Sequence, residues 1–263
     1  MILPFKNKVV WVTGASGAIG GAITKTLAIS GAHVIISSRS QDKLEELAEK
    51  CRAESSGEVV PLPTDVTNRE NVEKTAKDIH DRFGRIDMLV NSTSLSKFGD
   101  FFTLQDEDWE SVFEHKLFAY VRTIRATLPY MIQQQFGRIV NLSGRGGHQP
   151  TLPLHLPGMS ANASVNLFTK GIASMYGINN IRANVVAPGP VASARYGAVT
   201  KATNSPAKAT SHATASAFNT PPISGKLSTP EEIAEIVFFL LSESSSQLNG
   251  IVLQADGGST ASL

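Results

Sequence analysis

A chain of 263 residues, 41% of them hydrophobic, is long enough to bury one continuous sheet between two helix layers in a single domain. Its formal net charge of +1, with no dense Lys/Arg block, excludes an electrostatic footprint for nucleic acid or for an anionic membrane. Cys51 is the only cysteine, which excludes an internal disulfide and a cysteine-based metal site and makes the cytoplasm the expected address.

The first apolar run, 9–12, follows Lys6 and Lys8 and is too short for a signal peptide or a membrane span, so it reads as a buried strand. Runs at 34–36, 59–62, 88–90, 139–142, 182–186 and 251–253 predict six more. Between them, amphipathic patterns predict helices over 18–30, 41–54, 69–83, 106–135, 160–177 and 230–242. Thr103 with Asp106 opens the fourth in capping-box spacing, and Thr229-Pro230-Glu231 opens the last. This alternation predicts an α/β fold, a doubly wound parallel sheet of seven strands forming one domain over 1–263. Only the stretch at about 194–226, rich in Ala, Ser and Thr, breaks the rhythm, and it is expected to be a mobile substrate lid.

The segment Thr13-Gly14-Ala15-Ser16-Gly17-Ala18-Ile19-Gly20 follows the first strand and opens the first helix. A glycine-rich turn at that position brings backbone N–H groups and a helix N-terminus up to a pyrophosphate, so Gly14, Ser16, Gly17, Ile19 and Gly20 are candidate dinucleotide contacts. Four further segments follow in order: Thr64-Asp65-Val66, Asn91-Ser92-Thr93-Ser94, Gly137 through Ser143, and Pro188-Gly189-Pro190-Val191. With the ending Gln254-Ala255-Asp256-Gly257-Gly258, they make the chain resemble the short-chain dehydrogenase/reductase family over nearly its whole length. Two departures are visible: the middle glycine of the family's first motif is Ala18, and only the first Asn of its second motif is kept, as Asn91.

The resemblance implies a Rossmann-type fold and a nicotinamide cofactor. It implies Asp65 and Val66 at the adenine, Asn91 along the cofactor, Pro188, Gly189, Val191 and Ser193 around the nicotinamide, and Ser143 as the catalytic serine. It also implies a homodimer or homotetramer paired through helices 106–135 and 160–177. At the end of the second strand, NAD-preferring relatives carry an acidic residue; here Ser38 and Arg39 stand instead, a pair suited to a 2′-phosphate, which points to NADP(H). The alternative is that Arg39 is simply a solvated surface side chain.

The family's Tyr-x-x-x-Lys pair is what the chain does not display. No tyrosine lies between Tyr130 and Tyr176, and no lysine between Lys116 and Lys170. Alignment on the downstream helix puts the Tyr position at Gly158 and the Lys position at Asn162, whereas counting forward from Ser143 puts the Tyr position near Leu156. Lys116 falls where many relatives keep an Asn, so Asn and Lys read as exchanged: Lys116 would restore the charge near the ribose and Asn162 would hold the ribose hydroxyls. The competing reading gives Lys116 an ordinary helix face with its head in water. For proton transfer, His155 is the first candidate and His148 the second, since histidine titrates near neutrality, with Arg145 the other polar side chain of that segment. Tyr120, on the face of Lys116, reads as packing, and Tyr196 could swing in from the lid.

Leu95, Phe98, Phe101, Phe102, Leu152, Leu154, Met159 and Phe218 are the expected pocket wall, which suits an apolar or aromatic small-molecule substrate. Two functions stay open. One is an atypical NADP(H)-dependent oxidoreductase for a small apolar carbonyl, alcohol or activated double bond, with Ser143, Lys116, His155 and Asn162 in the catalytic set. The other is a catalytically weak NADPH-binding sensor or assembly protein, because a positioned general acid is worth roughly 10²–10⁴-fold and binding needs none.

Overall fold

Successive side chains of a strand point to opposite faces, so a strand buried on both faces must be apolar throughout. Strand β1 (Val9–Thr13) meets this demand: Val10 and Val12 join one hydrophobic cluster, and Val9 and Trp11 join the other. In a computed structural model, which describes residues 3–150, 153–194, 196–197 and 223–260, six further strands complete the sheet. They are β2 (His33–Ser37), β3 (Val59–Pro61), β4 (Met88–Asn91), β5 (Gly137–Leu142), β6 (Ile181–Pro188) and β7 (Val252–Ala255). All pair in parallel in the order β3-β2-β1-β4-β5-β6-β7. The chain is therefore the single-domain, seven-stranded α/β fold that its periodicity predicts.

Helices cover both faces. On one lie α1 (Ala18–Ile29), α2 (Gln41–Arg52) and α7 (Pro230–Leu241), which contribute Leu27, Leu44 and Val237 to the first cluster. On the other lie α3 (Arg69–Phe83), α5 (Ala119–Gln133) and α6 (Leu156–Tyr176), which contribute Ile79, Ile124 and Val165 to the second. Thr229 caps α7 by accepting from the Glu232 N–H at 3.1 Å, while the Glu232 carboxylate accepts from the Thr229 N–H at 2.8 Å. Among the described residues, no helix is long and apolar enough to cross a membrane. Most of the expected lid at about 194–226 lies outside the described residues.

The fourth predicted helix differs from its sequence expectation in two respects. It is capped by Gln105, whose N–H donates to the Asp108 carboxylate at 3.2 Å, because the Thr103 hydroxyl is already committed to the Asp100 carbonyl at 2.9 Å. It is also broken: α4 (Asp106–Phe113) passes through a π-helical turn, Glu114–Phe118, before α5 begins. The Ala119 N–H reaches back to Glu114 O, a bond five residues long, so the turn holds one extra residue and the helix face rotates. Lys116 is the residue this rotation buries. The sixth helix starts at Leu156 rather than at 160, with Pro157 in its first turn, where a missing N–H costs nothing.

The strand register lines up Thr13, Asn91 and Asn141 across the carboxyl ends of β1, β4 and β5. Their side chains bond to one another in the core. Asn91 Nδ2 donates to Asn141 Oδ1 at 2.9 Å, and Asn141 Nδ2 donates to Thr169 Oγ1 of α6 at 2.9 Å. Asn91 Oδ1 accepts from Thr123 Oγ1 of α5 at 2.8 Å and from Thr13 Oγ1 at 3.2 Å. Each of these residues is fully buried, so no water replaces a lost partner. Asn91→Leu, nearly the same size, is expected to lower the unfolding free energy by about 2–4 kcal/mol. Urea denaturation reads this directly, and a change within about 0.5 kcal/mol would show the network to be dispensable.

Candidate active site

In an open parallel sheet, ligands bind beyond the carboxyl ends of the strands, where the order of connection reverses. Here that point lies between β1 and β4, and a cavity of about 500 Å³ opens there. The glycine-rich turn forms one wall. Gly14 has φ +68°, and a Cβ on it would sit 2.7 Å from Ser92 O; a Cβ on Gly20 would sit 2.4 Å from Gly14 O. Only glycine lets the turn press against β4 and α1 press against the turn. Gly17 caps α1 without a side-chain hydrogen bond, so the N–H groups of the first helical turn face the cavity with the positive end of the helix dipole. Such a wall fits a pyrophosphate.

The opposite wall begins at the end of β5. Ser143 N–H donates to Val186 O at 2.9 Å, which fixes the backbone, yet its buried Oγ has no hydrogen-bond partner among the described residues. A buried hydroxyl without a partner costs on the order of 1–3 kcal/mol and implies an acceptor or donor supplied from the cavity it lines. Lys116 also lines the cavity, but its head does not reach water: it is 6% exposed, and Nζ donates to Leu142 O at 2.6 Å. The sequence alternative of a solvated Lys116 is therefore wrong, for the π turn points this side chain at the sheet. Tyr120, fully buried, hydrogen-bonds from its hydroxyl to Leu142 O at 2.9 Å and to Thr93 O at 3.0 Å, and it does not line the cavity.

Asn162 and Gly158 sit one helical turn apart on α6, both facing the cavity. Asn162 extends its amide over Gly144, where a Cβ would lie 3.0 Å from Nδ2. Above Gly158 lies the His155 ring: a Cβ on Gly158 would sit 2.1 Å from His155 Nε2 and 2.2 Å from Cε1. The imidazole thus fills the space a side chain at 158 would take. Its Nδ1 lies 3.0 Å from Lys97 O, and a carbonyl only accepts, so Nδ1 carries hydrogen and Nε2 is the nitrogen left toward Gly158. Phe98 stacks on the ring at 4.5 Å and fixes its plane.

The other candidates separate cleanly. Pro188, Gly189, Val191 and Ser193 border the cavity with Ser16, Gly17, Ile19 and Gly20. Asn91 does not: its side chain belongs to the buried network, and Ser92 and Ser94 reach the cavity instead. Ser38, Arg39, Asp65 and Val66 lie beyond this cavity, at the ends of β2 and β3. There the Ser38 hydroxyl closes a local turn with Ser40, and Arg39 is exposed. Burial, the largest single influence on the Asp65 carboxyl, pushes its pKa up, but two hydrogen bonds from Thr67 and the charges of Arg39 and His115 together hold it below its ordinary value. His148 is exposed and away from the cavity, so the second candidate acid is not in place.

Of the expected apolar wall, Leu95 lines the cavity, and Leu154 and Met159 are buried beside it. Phe101 and Phe102 instead face solvent at 62% and 90% exposure, while Leu152 and Phe218 lie outside the described residues. Val112, Leu142 and Val191 take the apolar role. Arg145 and Tyr196 also border the cavity. Nothing local in the sequence marks Val112 as a pocket residue, because it arrives there through packing between distant segments, whereas Tyr196 stands at the cavity as its sequence reading allowed. Among the described residues, no group of His, Cys, Asp and Glu could hold a metal ion.

A family model described as short chain dehydrogenase matches residues 8–204. The chain is 32% identical over 253 residues to the 3-oxoacyl-(acyl-carrier-protein) reductase of Thermotoga maritima, covering 96% of this chain and 98% of that protein. It is 31% identical, over an alignment of 271 positions covering 100% of each, to an uncharacterized oxidoreductase of Bacillus subtilis. The solved structure of L-sorbose reductase from Gluconobacter frateurii, complexed with NADPH and L-sorbose, superposes with a TM-score of 0.89 at 26% identity over 100% of both chains. Levodione reductase superposes with a TM-score of 0.90 at 26% identity, over 98% of this chain and 100% of the other.

Gly158→Ala should displace the imidazole, since the added Cβ meets ring atoms rather than open space. The expected signature is a shifted His155 ring resonance in the NMR spectrum with the fold intact; an unchanged resonance would show that the ring is not held over Gly158.

Proposed function

The chain belongs to the short-chain dehydrogenase family, and we propose that it is an NADP(H)-dependent oxidoreductase of small carbonyl or alcohol substrates in which His155 takes the proton-handling part of the family's tyrosine. The observation that carries this reading is the imidazole seated over Gly158, in the volume a tyrosine at that position would enter. A bound nicotinamide supplies or accepts the hydride; the chain supplies the frame and the proton. Ser143, whose Oγ lacks a protein partner, would orient the substrate oxygen by hydrogen bonding. His155 would pass a proton through Nε2 while the Lys97 carbonyl holds Nδ1, the division of labour a histidine acid needs.

Lys116 and Asn162 are the residues that would hold the cofactor's ribose in place of the family's lysine. The exchange is chemically coherent: a buried ammonium supplies charge, and an amide supplies both a donor and an acceptor. The helix α1 N-terminus would take the pyrophosphate, and Ser38 with Arg39 the 2′-phosphate, where an acidic side chain would repel it. The relative solved with NADPH is consistent with this cofactor choice. Burial pushes the Cys51 thiol pKa up and leaves it inert, in keeping with a reducing cytoplasm. Exposed Leu167 and Met175 on α6, with Ile178 just beyond it, offer an apolar face for a homodimer or homotetramer.

His155→Gln is expected to lower kcat by roughly 10²–10⁴-fold while the NADPH Kd stays within about two-fold, because the ring acts on the substrate side. Lys116→Met should raise the NADPH Kd by on the order of ten-fold; unchanged affinity and turnover would remove the exchange. Tight NADPH binding with no oxidation across a carbonyl and quinone panel over hours would favour the sensor function instead.

A further inference from the structure

Arg145 is a buried cation that the proton and hydride chemistry does not use. It stands in the short 3₁₀ turn Arg145–Gly147 after β5 and is 8% exposed, lines the cavity, and its guanidinium makes no hydrogen bond or ion pair with any described residue. A cation so largely withdrawn from water, with no protein partner and open only to a cavity, is suited to be completed by an anion that enters that cavity. Among the acidic groups that act on it, Asp256 has the largest effect, attracting Arg145 without bonding to it. Asp256 is committed to its own loop: its carboxylate accepts from Gly258 N–H at 3.1 Å, from Thr260 N–H at 2.9 Å and from the Thr260 hydroxyl. Burial draws the Arg145 pKa below its ordinary value, with Asp256 and Tyr196 opposing, and a guanidinium stays charged all the same.

We propose that Arg145 is the anchor for a carboxylate on the substrate, so that the pocket takes a small oxo or hydroxy acid with an apolar body rather than a neutral molecule. The geometry supports this at three points. Arg145 borders the same cavity as Ser143 and His155, so an anion on it lies in the compartment where the substrate oxygen would be held. A guanidinium presents two parallel N–H groups that match the two oxygens of a carboxylate. The remaining walls, Leu95, Val112 and Val191, are apolar and would take the carbon skeleton. A monoanion suits the site better than a phosphate dianion, since Asp256 adds a negative charge close by.

The proposal rests on the oxidoreductase reading for the word substrate, and a binding measurement separates the two. Isothermal titration of 3-phenylpropanoate and of its neutral amide into the NADPH complex of the full chain should show the acid bound at least ~30-fold more tightly, the size expected of a buried charge-assisted pair. Arg145→Met should erase that preference while NADPH affinity stays within about two-fold, and Arg145→Lys, which keeps charge but loses the fork, should fall between. The melting temperature of Arg145→Met should not drop, because no protein partner is lost; this distinguishes an anchor from a structural arginine. Equal binding of acid and amide, no binding of the acid, or a preference that survives in Arg145→Met overturns the proposal. So does a matching loss of NADPH affinity, which would assign the guanidinium to the cofactor. Acid binding through Arg145 without NADPH oxidation upholds the anion site and rejects only the catalytic reading.

Discussion

The amide pair of Asn91 and Asn141, 2.9 Å apart in the core, is the joint on which the site depends. Both stand at the carboxyl ends of their strands, beside the reversal of strand order where the cavity opens. Thr13 ties β1 to this joint, Thr123 ties α5 and Thr169 ties α6, so the elements that present Gly14, Lys116, Ser143 and Asn162 share one set of bonds. In a dry interior these bonds are directional and costly to break, whereas apolar packing alone would tolerate small slips between layers. The position of each cavity wall is thereby coupled to the others.

A second constraint acts one residue before Ser143. The carbonyl of Leu142 accepts from the Lys116 ammonium and from the Tyr120 hydroxyl, which anchors the kinked helix to the end of β5. The π turn makes this possible by rotating Lys116 toward the sheet, and its extra residue would be hard to retain without a compensating bond. The backbone that carries Ser143 is thus held from below, by the helix, and from the side, by Val186. Its hydroxyl is left to the cavity.

The cavity combines groups of several polarities. Backbone N–H groups of the first turn of α1, a buried ammonium, an amide, an imidazole, a guanidinium and a hydroxyl without a partner among the described residues all line it, with apolar side chains between them. Such a concentration of polar and charged groups in one cavity marks a candidate functional site. The stacked Phe98 and the Lys97 carbonyl hold the imidazole in a single plane, over the position of Gly158.

By themselves, the residues in sequence determined the seven strands, the helices between them and the glycine-rich turn after β1, because these follow from hydrophobic period and from glycine geometry within a few neighbouring positions. The tight turn at Gly14 and the close packing at Gly20 could be read without coordinates for that reason. The break in the helix at 114–118, and with it the inward Lys116, was not legible, since a one-residue phase shift inside the apolar pattern over 106–135 still reads as one continuous helix. Asn91 read as a cofactor contact, and only the register of β1, β4 and β5 turned it into a core bond. His155 could be named as a candidate but not seated; its place over Gly158 is set by Lys97, 58 residues earlier in the chain. Arg145 was visible as a polar residue of the right segment, but that it lacks a partner is a property of every element packed around it. Local geometry is encoded by neighbours in sequence, whereas burial, pairing and the lack of a pair are decided only when distant segments meet.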